Sequence, residues 1–153
     1  MVTNDIPMTS LTQSTAALAR LIQLTKRTDT RGNLSVIEEG KDIPFEIKHT
    51  HWIYDVPGGG NCRGCAFRAT VVFIVALSGS FDVILDDGQE RKTIRLERSY
   101  YGLYVPAEIW HEMVNFSTNS LAFVLSSAAL DEDDCIRDYG LFKAERHEKE
   151  QRF

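Results

Sequence analysis

Apolar positions recur with a period of two along most of the chain, in short runs that end at turn residues. The alternation and the buried-type apolar runs predict strands at Leu34–Glu38, Phe45–Tyr54, Phe67–Leu77, Phe81–Asp86, Thr93–Leu96, Gly102–Val105, His111–Phe116 and Leu121–Ser126. Asp87-Gly88, between FDVIL and the polar QERKTIRL, is a hairpin signal, because those two residues suit left-handed turn positions. Gly58-Gly59-Gly60 and Ser78-Gly79-Ser80 break the apolar runs on either side. A helical pattern appears in two places only: a weak run from Ala16 to Leu24, and a tail from Glu132 to about Arg152. Many short strands, tight turns and little helix predict an all-β sandwich or barrel with a short C-terminal helical tail.

At 153 residues the chain is long enough for one domain with its own core. Residues 1–20 are polar and rich in Thr and Ser and read as a loosely ordered extension. Residues 21–153 read as a single domain. A formal net charge of -5 argues against a general nucleic-acid or acidic-membrane binder. The N-terminus lacks the basic and apolar regions of a signal peptide, and no stretch approaches a membrane span. Three cysteines, Cys62, Cys65 and Cys135, suit a reducing compartment better than a disulfide framework, so the expected location is the cytoplasm. Cys62-Arg63-Gly64-Cys65 has C-x-x-C spacing, but a metal site or redox pair needs partners that the surrounding sequence does not supply. Cys135 reads as a small packing residue.

Two segments resemble the motifs of the cupin fold, a double-stranded β-helix related to the jelly roll. Pro106-Ala107-Glu108-Ile109-Trp110-His111-Glu112-Met113-Val114-Asn115 resembles the second cupin motif, with Glu108 where many cupins have glycine. Gly64 to Gly79 resembles the first in length and in its closing glycine. Within the cupins, "TDTRGNLSVIEE", "IPFEIKHTHWIYDVPGG", "LSGSFDVILDDG", "YYGLYVPAEIWHEM" and "DEDDCIRDYGLF" are together similar to the sugar 3,4-ketoisomerase family, which acts on dTDP-4-keto-6-deoxyhexoses. The resemblance spans Thr28 to Phe142. It implies proton transfer between sugar C3 and C4 in deoxysugar biosynthesis, a dTDP-linked keto sugar as ligand, no metal or other cofactor, and a homodimer, often with exchanged N-terminal strands.

The resemblance also marks a departure. The family's catalytic stretch resembles G-H-A-H-[KR], whereas this chain reads Gly64-Cys65-Ala66-Phe67-Arg68. Both histidines are replaced, by Cys65 and Phe67. Laid on the metal-binding cupins, the ligand positions fall on Cys65, Phe67 and Val72, with His111 alone retained, too few donors for a metal site. A proton still has to move between adjacent carbons, which needs a base of suitable pKa within reach. His49 and His51, spaced i, i+2 in "IKHTHWIY", are candidates, and alternation places Ile47, His49, His51 and Ile53 on one inward face. Cys65 would serve only as a thiolate, and His111 takes a supporting role. Arg31 in "DTRGNL" resembles the family's diphosphate-binding arginine, and Arg68 keeps its basic position. Tyr54, Tyr104 and Trp110 are candidates for lining the sugar pocket, with ordinary packing as their alternative role. Three functions stay open: a ketoisomerase with a relocated proton shuttle, a catalytically silent dTDP-sugar-binding cupin, and a cupin with other chemistry at the C-x-x-C.

Overall fold

A computed structural model describes residues 19–152, which contain twelve strands and one α-helix. The proposed N-terminal extension lies almost wholly outside the described residues. The first sheet holds β1 (Arg20–Gln23), β9 (Tyr101–Val105), β6 (Val72–Ser78), β11 (Leu121–Ser126) and β4 (His49–Ile53), in that order. The second holds β12 (Cys135–Ile136), β5 (Cys65–Phe67), β10 (Trp110–Val114), β7 (Phe81–Asp86) and β8 (Arg91–Leu96). All pairings in both sheets are antiparallel. The two sheets face each other around one apolar interior, the arrangement of the cupin barrel. β2 (Thr25–Asp29) and β3 (Gly32–Val36) form a separate hairpin whose strands, among the described residues, pair only with each other. Helix α1 (Tyr139–Gln151), with Asp138 accepting from the Leu141 amide at its N-cap, covers the outer face of the second sheet.

The interior is graded along the barrel axis. At one end Phe81 and Phe116 stack with ring centroids 4.9 Å apart, both essentially without solvent contact. Ile74, Val83, Leu103, Ala122 and Val124 fill the middle. Toward the other end the inward side chains change character. On β4 the exposure alternates, so His49, His51 and Ile53 turn inward while Thr50 and Trp52 face out. On β10 the strand places His111 inside and Trp110 outside. The barrel is thus plugged by phenylalanine at one end and lined by imidazole at the other.

Several sequence expectations change. The continuous run Phe67–Leu77 is two strands in different sheets, because the chain crosses between β5 and β6. Asp134 fixes that crossing by accepting from the Ala69 and Thr70 amides at 2.8 and 3.1 Å and from the Thr70 hydroxyl. The described part of the Ala16–Leu24 run is strand β1 rather than helix, since pairing with β9 overrides a weak helical preference. Residues Ala16 to Leu18 lie outside the described residues. Ile47 does not share the inward face with the histidines: β4 begins at His49, and Ile47 packs with Phe73, Val75 and Leu125 on the outer side of the first sheet. Asp87-Gly88 does begin a turn between β7 and β8. The loop has four residues, with the Asp87 carboxylate accepting from the Gln89 and Glu90 amides. Glu108, where many cupins have glycine, sits at φ +67°, a left-handed conformation that explains the usual preference. Its carboxylate accepts from Arg146 and Lys149 of α1.

Candidate active site

Three strands bring the candidate groups together. His49 and His51 on β4 have ring centroids 5.4 Å apart and are both half-buried. On the second sheet, His111 pairs in register with Cys65. Phe67, two residues on, places its ring 5.8 Å from the His111 ring. The two walls meet: burial lowers the His111 pKa from its ordinary 6.5, and the charge that His51 could carry lowers it further. His51 is likewise lowered, mainly by burial and secondarily by His49. Near neutral pH, both His51 and His111 are therefore held uncharged, and a neutral imidazole can accept a proton.

The two walls differ in what their groups are free to do. His111 Nδ1 lies 3.4 Å from the Ile109 carbonyl and Nε2 lies 3.7 Å from Cys65 Sγ. With Nδ1–H donating to Ile109, the Cys65 thiol donates to Nε2, and both ring nitrogens are engaged. Burial, and after it the neighbouring Cys135 thiol, push the Cys65 pKa up to about 12. Cys65 therefore stays a thiol near neutral pH and is no base there. Cys135 pairs in register with Phe67, so β12 delivers a second sulfur to the same inner face. Read as a packing residue, Cys135 gave no sequence signal for this, since it lies in a two-residue strand behind an acidic run. All three cysteines are free. Among the described residues, no group of three or more histidine, cysteine or carboxylate side chains could hold a metal ion.

The remaining candidates lie elsewhere. Trp110, buried, packs with Ala66, Ile136, Phe142 and Tyr139 under helix α1, on the face opposite His111. It does not line the barrel, because neighbours in a strand point to opposite faces and His111 takes the inward one. Tyr104 for the same reason packs on the outer side of the first sheet, beside Phe45. Tyr54 follows β4 and is exposed. Arg68 is drawn outward to the C-terminal segment, donating to the Asp133 carbonyl at 2.6 Å and to Glu145 at 2.8 Å. Arg31 stands at the tip of the β2–β3 hairpin with its side chain 89% exposed, paired with Asp29 at 2.9 Å. Within one chain, then, the proton-transfer candidates converge and the anion-binding candidates do not. Gly64, ahead of Cys65, is fixed by packing: a Cβ there would lie 2.5 Å from Glu112 and Trp110 side-chain atoms.

A family profile described as "FdtA: WxcM-like, C-terminal" matches residues 17–147. A curated relative, the TDP-4-oxo-6-deoxy-alpha-D-glucose-3,4-oxoisomerase of Aneurinibacillus thermoaerophilus, is 42% identical over 124 residues, 81% of this chain and 89% of the relative. The chain belongs to the sugar 3,4-ketoisomerase family. Solved members of the family share its fold. A 3,4-ketoisomerase from Helicobacter canadensis superimposes with a TM-score of 0.82 at 32% identity, covering 84% of this chain and 97% of its own. The sugar 3,4-ketoisomerase QdtA of Thermoanaerobacterium thermosaccharolyticum, solved in complex with TDP, gives 0.83 at 30% identity over 86% of this chain and 96% of its own. No helix among the described residues is long and apolar enough to cross a membrane.

Proposed function

We propose that this protein is a TDP-sugar 3,4-ketoisomerase of deoxysugar biosynthesis. In this reading it converts TDP-4-keto-6-deoxyglucose into a 3-keto isomer, and the β4 histidines carry the proton in place of the pair replaced by Cys65 and Phe67. The observation that carries the reading is the juxtaposition of two inward imidazoles, His49 and His51, with the wall of the barrel where the replaced residues stand. Geometry precedes pKa in assigning a base, and here both agree: His51 is half-buried, inward, and uncharged at neutral pH. Isomerisation moves one hydrogen and one carbonyl within the same molecule, so it needs neither oxidant nor cofactor. The test is to incubate the protein with TDP-4-keto-6-deoxyglucose and follow the sugar by NMR. A 3-keto product supports the enzyme. TDP-sugar binding with no product supports the second reading, a silent nucleotide-sugar-binding cupin, which the Cys65 and Phe67 replacements favour.

The same burial sets the expected pH dependence. Protonation of His51 removes the base, so the rate should fall as pH drops, through a limb whose apparent pKa lies below the ordinary imidazole value of 6.5. A pH profile of kcat/KM checks this. A limb above 6.5 would assign the base to a different group.

For the nucleotide, the proposal includes a homodimer in a reducing, cytoplasmic setting, consistent with three free thiols. Each of the ten strand residues of the β2–β3 hairpin is exposed except Val36, which is half-buried, so among the described residues the hairpin buries little of its surface, with Lys26 lying over the Tyr100 ring. A second copy would cover that surface, and Arg31 would then reach the diphosphate at the mouth of the partner barrel. Its pair with Asp29 is fully solvated and exchanges readily for a phosphate. Arg31→Ala should weaken TDP binding by calorimetry about 10- to 100-fold, the loss expected when charge-assisted hydrogen bonds to a diphosphate are removed. Unchanged affinity would remove Arg31 from the site.

A further inference from the structure

A buried hydroxyl stands beside the β4 histidines with nothing to bond to. Ser126 ends β11 at 4% exposure, and strand alternation turns its side chain inward, with Ala122 and Val124. It lies in register with His49 of β4 on one side and with Val72 of β6 on the other. Residues opposed in this way have Cβ atoms about 4.5–5.5 Å apart, so the hydroxyl neighbours the His49 ring. Among the described residues it makes no hydrogen bond. A buried hydroxyl without a partner costs stability, and at the end of a pocket the missing partner is a ligand. The other hydroxyls nearby are committed or turned away. Thr70 donates to Asp134, Ser127 accepts from the Val71 amide, Thr50 faces out, and Tyr104 packs on the outer side of the sheet.

Resting on the reading above, we propose that Ser126 is a catalytic residue whose hydroxyl binds the sugar's C4 oxygen and relays a proton to it. When a β4 imidazole takes the C3 proton, the C–H electron pair forms the C3–C4 double bond. The carbonyl pair moves onto the C4 oxygen, where a fixed donor stabilises the growing charge. A serine hydroxyl offers one hydrogen and two lone pairs, so it can donate and accept at once. Ser126 gives its proton to the C4 oxygen and takes the proton of the C3 hydroxyl. The C3 oxygen becomes the ketone, and the double-bond pair takes the imidazolium's proton at C4. Hydrogens and electrons balance, and serine and histidine both end as they began. The placement suits this division: base and hydroxyl stand on adjacent strands, β4 and β11, to serve a carbon and an oxygen that are also neighbours.

Ser126→Ala tests the assignment, with turnover of TDP-4-keto-6-deoxyglucose, TDP affinity and melting temperature measured together. Turnover should fall about 10²- to 10³-fold, the usual loss when one preorganised oxyanion donor is removed. TDP affinity should stay within a few-fold, because the hydroxyl serves the sugar and not the nucleotide. The melting temperature should hold or rise, since alanine removes a buried polar atom that the folded chain leaves unpaired. Lower activity in a protein of undiminished stability is a signature that a packing role would not produce. Unchanged turnover would overturn the role of Ser126 and leave the ketoisomerase reading intact. A fall in melting temperature or TDP affinity alongside the rate would also overturn it, and assign the hydroxyl to the fold. Wild-type protein that binds the TDP-sugar and forms no 3-keto product would overturn that reading and this inference with it.

Discussion

Replacing His51 with glutamine is expected to slow isomerisation by about 10²- to 10⁴-fold, the usual contribution of a positioned general base, while TDP affinity stays within a few-fold. Glutamine keeps a polar group of similar reach on β4 but has no pKa near neutrality. His51 is half-buried at the open end of the barrel, and its strand is held by five register pairs to β11, so the exchange should leave the fold intact. The outcome separates the roles of the three imidazoles. His111 is buried and engaged at both nitrogens, so its loss should register first in stability, whereas loss of His51 should register in rate. Steady-state kinetics on purified variants, with binding measured separately by calorimetry, provide the check. An unimpaired His51→Gln variant would remove the β4 wall from the mechanism.

The largest expected effect on stability comes from the other end of the barrel. Phe81→Ala should destabilise folding by about 3–5 kcal/mol, because it removes a whole aromatic side chain from a site that cannot collapse. Phe81 has no solvent contact, stacks on Phe116 and lies among Val83, Leu96 and other core residues of both sheets. Denaturant unfolding measures the loss directly. Because the phenylalanine plug and the imidazoles occupy opposite ends, the folded fraction of the variant should bind TDP with near-normal affinity. A loss of binding in fully folded protein would mean that the two ends are not independent.

Some of this architecture was readable from the pattern of residues and some was not. β7 and β11 were visible because alternating or continuous apolar residues record burial on one or both faces of a strand. β1 and β2 left no such record: every residue of Thr25–Asp29 is exposed, so nothing distinguishes that strand from a loop. The crossing between β5 and β6 was hidden because its anchor, Asp134, lies more than sixty residues along the chain. At the site, the i, i+2 spacing of His49 and His51 carried their shared inward face, and the departure at Cys65 and Phe67 was plain in the motif itself. Trp110 and His111 were both offered to the pocket, although adjacent residues of a strand face opposite ways. Their alternation limited the pocket to one of them, and only the packing of α1 determined which. Cys135 reaches the site through a two-residue strand, too short for any periodicity to announce.

The central claim is that a base still works at this barrel's open end, and deuterium wash-in at sugar C3 reads that base without depending on product release. The protein would be mixed with TDP-4-keto-6-deoxyglucose in D2O and the C3 proton signal followed by NMR against a protein-free control. The account predicts progressive loss of that signal in wild-type protein and its retention in His51→Gln. A C3 proton that persists at the control rate, in a sample where calorimetry shows the TDP-sugar bound, would contradict it and leave a nucleotide-sugar-binding protein without turnover.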